Sequence, residues 1–128
     1  MCIRDRLYLQ NHGGVYRSDD HAASWDYIAD GLPSDFGFTI VVHPQEPDTI
    51  FVFPIDAGDS WEELADGLPD NFYVGVMRDA MCHDGHDEVG LYVGARNGAV
   101  WASADGGESW KQIVANLPDV LVVRAAGL

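Results

Sequence analysis

The sequence predicts an all-β fold made of short four-stranded units that recur along the chain. Three observations carry that expectation. An acidic turn followed by tryptophan occurs three times, ending at Trp25, Trp61 and Trp110. Each Trp is followed at the third residue by an apolar side chain (Ile28, Leu64, Ile113) and at the eighth by the proline of a Leu-Pro pair (Leu32-Pro33, Leu68-Pro69, Leu117-Pro118). Between these markers lie short runs rich in β-branched and aromatic residues, and no segment carries helical periodicity over the necessary length. Fixed spacing with the same residue types marks an internal repeat, and four-stranded units at this period read as blades of a partial β-propeller, about two to two and a half of them.

The elements follow in order within a unit. A first strand is expected after each Leu-Pro pair, at Phe38–His43, Tyr73–Arg78 and Val120–Arg124. A second follows at Thr49–Phe53 and Leu91–Gly94, with Leu7-Tyr8-Leu9 as its counterpart near the start of the chain. A glycine-containing turn (Asn11–Gly14, Arg96–Gly98) leads to a third strand at Val15–Arg17 or Ala99–Ala102. The acidic turn then leads into the fourth, Trp110–Ile113 in the best-formed copy. In that turn the Asp carboxylate can accept backbone N–H groups, the glycine can take positive φ, and the serine hydroxyls can bond locally. The Trp is expected to cover the turn and pack against the next unit. Residues 7–33 then carry the last strands of one blade, 34–69 a shortened blade, 70–118 a complete blade, and 119–128 the opening of another. Residues 1–6 fit no part of the repeat and read as a non-native or disordered leader.

The turn Ser103-x-Asp105-x-Gly107-x-Ser109-Trp110 resembles the Asp-box, or BNR repeat, of the sialidase-like β-propeller superfamily. That group stands beside WD40- and YVTN-like repeat proteins. It includes sialidases, sortilin-type receptors, xyloglucan-cleaving glycosidases and photosystem assembly factors. His43-Pro44-x-x-Pro47-x-Thr49-Ile50-Phe51-Val52 is similar to the link between first and second strands in such blades. The resemblance covers roughly Leu7 onward. The first copy (Ser18, Asp20, Ser24, Trp25) departs at Ala22, where the family has glycine, which predicts a distorted turn. The middle copy (Asp56, Gly58, Ser60, Trp61) lacks its leading Ser because Pro54 stands there. The resemblance implies that these turns are structural and lie at the outer edge, while the first strands line a central channel.

Composition narrows the partners. The 128-residue chain carries a net charge of −14, so it offers no basic surface to displace counterions from a nucleic-acid backbone. No run approaches the length of a membrane-spanning helix. Met1-Cys2-Ile3-Arg4-Asp5-Arg6 puts charges where a signal peptide needs an apolar core, which favours a cytoplasmic location. Cys2 and Cys82 give no disulfide framework. A propeller closes with about four to eight blades, so the chain is expected to be a piece of a longer protein, or to self-associate through its open blade edges. Ile50 to Trp61 spans 11 residues, against 17 from Tyr8 to Trp25 and 18 from Tyr92 to Trp110, which predicts a deletion between Phe53 and Asp56.

Three sets of residues are candidates for function. His43, Arg78 and Arg124 end successive first strands and are candidate ligand contacts on a channel rim, where guanidinium groups suit a carboxylate; local ion pairing, as with Asp79, is the plainer alternative. Cys82, His83 and His86 sit in a Cys-His-Asp-Gly-His-Asp-Glu run that is a weak metal candidate, since adjacent Cys82 and His83 would struggle to face one ion. The acidic turns themselves read as structural; stacking of a carbohydrate on an exposed Trp101 or Trp110 is the other possibility. No phosphate loop, dinucleotide fingerprint or nucleophile elbow occurs, no cofactor is implied, and no catalytic residue can be assigned. A sialidase needs an Arg-Ile-Pro segment, which is not in this sequence. The expected function is a non-catalytic Asp-box propeller scaffold that binds a protein or carbohydrate ligand. The alternative is part of a glycoside hydrolase of the exo-sialidase type, with its catalytic residues mostly in other blades.

Overall fold

The computed structural model describes residues 6–32, 37–54, 64–69 and 75–126. All regular structure in these residues is strand, in three antiparallel sheets. The first sheet has the order β1 (Leu7–Asn11), β2 (Gly14–Ser18), β3 (Asp26–Tyr27). The second pairs β4 (Gly37–Val42) with β5 (Ile50–Pro54). The third has the order β6 (Met81–His83), β7 (Leu91–Gly94), β8 (Val100–Ser103), β9 (Lys111–Val114). Among the described residues no helix is long and apolar enough to cross a membrane.

Local chemistry explains the hairpins. β1 and β2 are joined through His12-Gly13, with Asn11 paired to Gly14. The Asn11 side-chain oxygen accepts the Gly13 N–H at 2.7 Å, a short-range bond that sets a tight hairpin turn. Gly14 has φ 140°, and a Cβ there would stand 2.4 Å from the Tyr27 ring, so β3 can lie close only because the side chain is missing. Tyr27 then meets Tyr16 edge to face at 5.5 Å between ring centres.

The first and third sheets share their registers. Leu7 pairs with Ser18 and Tyr16 with Tyr27 in the first. Leu91 pairs with Ser103 and Trp101 with Gln112 in the third. The serine that opens each acidic turn is therefore opposite the same strand position in both, and both serines are buried.

The core lies between the second and third sheets. Val41 joins Val76, Ala80, Met81, Val89, Leu91, Val93, Ala99, Trp101 and Trp110, with Phe51, Phe53, Leu68 and Met77 packed against them. Alternate residues of β7 point into it, as Leu91 and Val93 are fully buried while Tyr92 between them is not. The first sheet follows on the other side, with β1 alongside β4 and the Tyr8 hydroxyl donating to the Pro47 carbonyl at 2.7 Å.

Most expected strands are present within one or two residues. Tyr73–Arg78 and Val120–Arg124 are the exceptions. The described part of the first, residues 75–78, is not strand; the strand that pairs with β7 is Met81–His83. A turn closed by the Ala80 N–H on the Met77 carbonyl at 2.9 Å breaks the apolar run, and pairing begins after it. Val120–Arg124 makes one parallel bridge, Val122 to Asp79, rather than a full strand. The middle acidic turn (Asp56, Gly58, Ser60, Trp61) and the site of the expected deletion lie outside the described residues.

Candidate functional site

The two described acidic turns have the same construction. Ser18 Oγ donates to Asp20 Oδ1 at 2.9 Å and accepts the Ala22 N–H at 2.9 Å. Asp20 in turn accepts the Ser24 N–H at 2.8 Å and the Ser24 hydroxyl at 2.6 Å. In the second of the pair, Ser103 Oγ donates to Asp105 Oδ1 at 2.6 Å and accepts the Gly107 N–H at 2.8 Å. Asp105 accepts the Ser109 N–H at 2.9 Å and the Ser109 hydroxyl. Both carboxylate oxygens of each Asp are engaged, so these side chains organise their turns.

Ala22 does not distort its turn. It takes φ 68° and His21 takes φ 59°, the conformation that Gly106 (φ 70°) and Gly107 (φ 98°) adopt in the other copy. The hydrogen bonds over-determine the backbone, and the strain of a left-handed alanine is carried instead. Ala22→Gly is therefore expected to stabilise the protein by about 1 kcal/mol, seen as a higher urea midpoint with unchanged slope.

The same bonds set the charge state. Hydrogen bonds from the Ser24 hydroxyl and N–H, then from Ser18, hold Asp20 down at about 2. Those from the Ser103 and Ser109 hydroxyls, then from the Ser109 N–H, hold Asp105 at about 2. Both stand below the ordinary 3.8, so the stability they confer is full above that value and is lost as pH falls through about 2. Acid titration followed by circular dichroism should show a loss of stability between these limits that is reduced in Asp105→Asn.

The tryptophans that follow the turns differ. Trp110 is 9% exposed, and its Nε1 donates to the Leu64 carbonyl at 2.7 Å while its own N–H donates to the Asp66 carbonyl at 2.7 Å. It packs on the preceding unit, not on the next as expected. Trp25 is 38% exposed. Trp101 is 6% exposed, so neither it nor Trp110 offers a ring face for stacking a carbohydrate.

The three candidate rim residues have different neighbours. His43 Nδ1 accepts the N–H groups of Gln45 (3.2 Å) and Glu46 (3.0 Å), and so fixes the turn between β4 and β5. Arg124 donates to the Asp79 carboxylate at 2.6 Å and to the Asp79 carbonyl at 2.9 Å. Arg78 lines an open hollow of about 600 Å³ with Gln10, Asn11, His12, Gly13 and Tyr16 at the β1–β2 hairpin, and His43 and Arg124 are not part of its wall.

The Cys82–Glu88 run is divided between a strand and a loop. Cys82 and His83 lie in β6, where successive side chains take opposite faces. Burial pushes the Cys82 thiol up, only partly offset by a backbone hydrogen bond and by Arg124. Among the described residues no three His, Cys, Asp or Glu side chains are placed to share a metal ion. The residue that organises this loop is Asp84, which accepts the His86 and Gly90 N–H groups at 3.0 Å and the Tyr92 hydroxyl at 3.2 Å. Burial raises Asp84, but these three bonds outweigh it and hold its carboxyl below the usual range. Gln45 clamps the same loop from the second sheet, donating to the Gly85 and His86 carbonyls at 3.0 Å. Forty residues separate Gln45 from Gly85, so no local pattern could have pointed to that clamp. Compared with protein-family models and with curated proteins, the chain matches none.

Proposed function

We propose that this chain is part of a non-catalytic Asp-box β-propeller scaffold of the sialidase-like kind, which presents a surface for a protein or carbohydrate ligand. The observation that carries this reading is the pair of acidic turns at Ser18–Ser24 and Ser103–Ser109, built from the same serine, aspartate and backbone bonds at the same strand register. Two copies of so particular a turn, each leading into a final strand, support a blade-like unit repeated along the chain.

Asp20, Asp84 and Asp105 serve as acceptors that hold their own turns and are not poised as a general acid. A general acid for glycoside hydrolysis needs a carboxyl held protonated, with its pKa raised. Asp20, Asp84 and Asp105 are all displaced in the opposite direction, by hydrogen bonds to the charged form. We place the ligand at the open hollow of the β1–β2 hairpin, which Arg78 lines with Gln10, Asn11, His12, Gly13 and Tyr16.

The test has two arms. The chain is incubated with a panel of fluorogenic aryl glycosides that includes a sialoside, and is applied to an array of neutral and acidic glycans and acidic peptides. No turnover is expected, together with binding of an acidic ligand that Arg78→Ala weakens. Turnover that a single Asp or Glu substitution abolishes would overturn the scaffold reading in favour of an enzyme.

A further inference from the structure

Apart from Val42 on the second sheet, the exposed large hydrophobic side chains among the described residues gather at two places. Leu7, Leu9, Trp25 and Tyr27 lie on the first sheet, and Ile113, Val114, Leu117, Leu121 and Val122 lie on and after β9 of the third. The second sheet stands between, touching β1 through β4 on one side and β6 through β4 on the other. The two apolar surfaces are different, so a contact between them is heterologous, not isologous.

The junction between the second and third sheets shows what such surfaces do. There the 64–69 segment forms a seat for Trp110, with Leu64 and Asp66 accepting its N–H groups. Further along the same chain, Met81–His83 pairs with β7. The exposed end of the third sheet repeats that order. Ile113–Pro118 holds the positions of Leu64–Pro69 relative to its tryptophan, and Asn116 has φ 65° where Gly67 has φ 87°. Val120–Arg124 follows, tied to Asp79 by the Val123 N–H at 2.9 Å, and among the described residues no other strand pairs with it. The first sheet carries the complementary parts. Trp25 stands where Trp110 stands, and among the described residues β1, the counterpart of β7, is an edge strand.

We propose that copies of this chain associate head to tail, the Leu7–Leu9–Trp25–Tyr27 surface of one copy seating on the Ile113–Val122 surface of the next. The occupant is a second copy because this chain itself carries both halves of a junction that it already makes once internally. The inference stands on that junction and does not depend on the ligand reading above.

Two features set its strength. At the internal junction a Cβ on residue 67 would stand 2.1 Å from the Trp110 carbonyl oxygen, so the backbones are in close contact there. Asn116 has that Cβ, and the junction between copies is held further apart and is reversible. The net charge of −14 makes copies repel, so added salt strengthens their association.

Sedimentation velocity on the whole chain, over a range of concentrations at low and high salt, tests this. Association that grows with protein and with salt is expected. Trp25→Ala and Leu121→Asp should each weaken it by about tenfold or more. Both residues are exposed in the single chain, and an unchanged urea midpoint at low concentration confirms folding. Mixing the two variants should restore a one-to-one dimer and nothing larger, because each retains one intact end. Asn116→Gly should tighten association about tenfold. A chain that stays monomeric under all conditions, or a mixture that fails to recover, would overturn the proposal. Recovery failing while wild type still dimerises would mean a symmetric contact in its place.

Discussion

Replacing Trp110 by alanine is expected to lower the unfolding free energy by about 3–5 kcal/mol, whereas the same change at Trp25 costs less than about 1 kcal/mol at dilute protein. The two residues follow turns of the same construction, so the difference isolates what tertiary contact adds. Trp110 is buried among Leu91, Val93 and Trp101, and it ties the third sheet to the 64–69 segment through two hydrogen bonds of 2.7 Å. Alanine removes the ring, leaves a cavity beside Leu91, and leaves the Leu64 carbonyl without its indole partner. Trp25 is 38% exposed and gives up much less on truncation. Urea unfolding of both variants, followed by circular dichroism, decides the matter. Equal losses would mean that the tryptophans act on their own turns and not across a junction.

Gly67→Ala is expected to cost about 2–3 kcal/mol, although it adds one methyl group to an exposed position. Two effects combine. The residue has φ 87°, where a side chain is strained, and the added Cβ would stand 2.1 Å from the Trp110 backbone carbonyl, which is not free to move aside. The substitution therefore pushes the Trp110 strand off its seat. A blue-to-red shift in tryptophan emission should accompany the loss. Asn116→Ala, at the corresponding position without a strand upon it, should cost only the backbone preference, about 1 kcal/mol. If the two substitutions cost the same, strain in the left-handed region accounts for the whole effect and close approach for none.

Much of the local structure was legible because it depends on neighbours in sequence. The four-residue span from Ser103 to Gly107, and the equal span from Ser18 to Ala22, place a hydroxyl where a backbone N–H must point, whatever surrounds the turn. The run Leu91-Tyr92-Val93-Gly94 became the strand expected of it, since alternation of buried and half-exposed side chains is written in the residues. In two places a local bond overrode the expectation. Tyr73–Arg78 reads as a strand by composition, but the Met77–Ala80 turn interrupts it and shifts pairing to Met81–His83. Ala22 shows the reverse failure, since the turn's hydrogen bonds hold an alanine where propensity asks for glycine.

By itself the sequence determined the all-β class, the repeated turn, and the spacing that puts each serine opposite the same strand position. These depend on backbone conformations and bonds spanning a few residues. The tertiary structure alone decided which tryptophan is buried, that Arg124 belongs to Asp79, and that Gln45 holds the loop at Gly85 and His86. Those contacts join residues some 40 to 46 positions apart. Their energies arise from burial and from partners brought together by packing, and neither is encoded in the identity of a residue or of its neighbours.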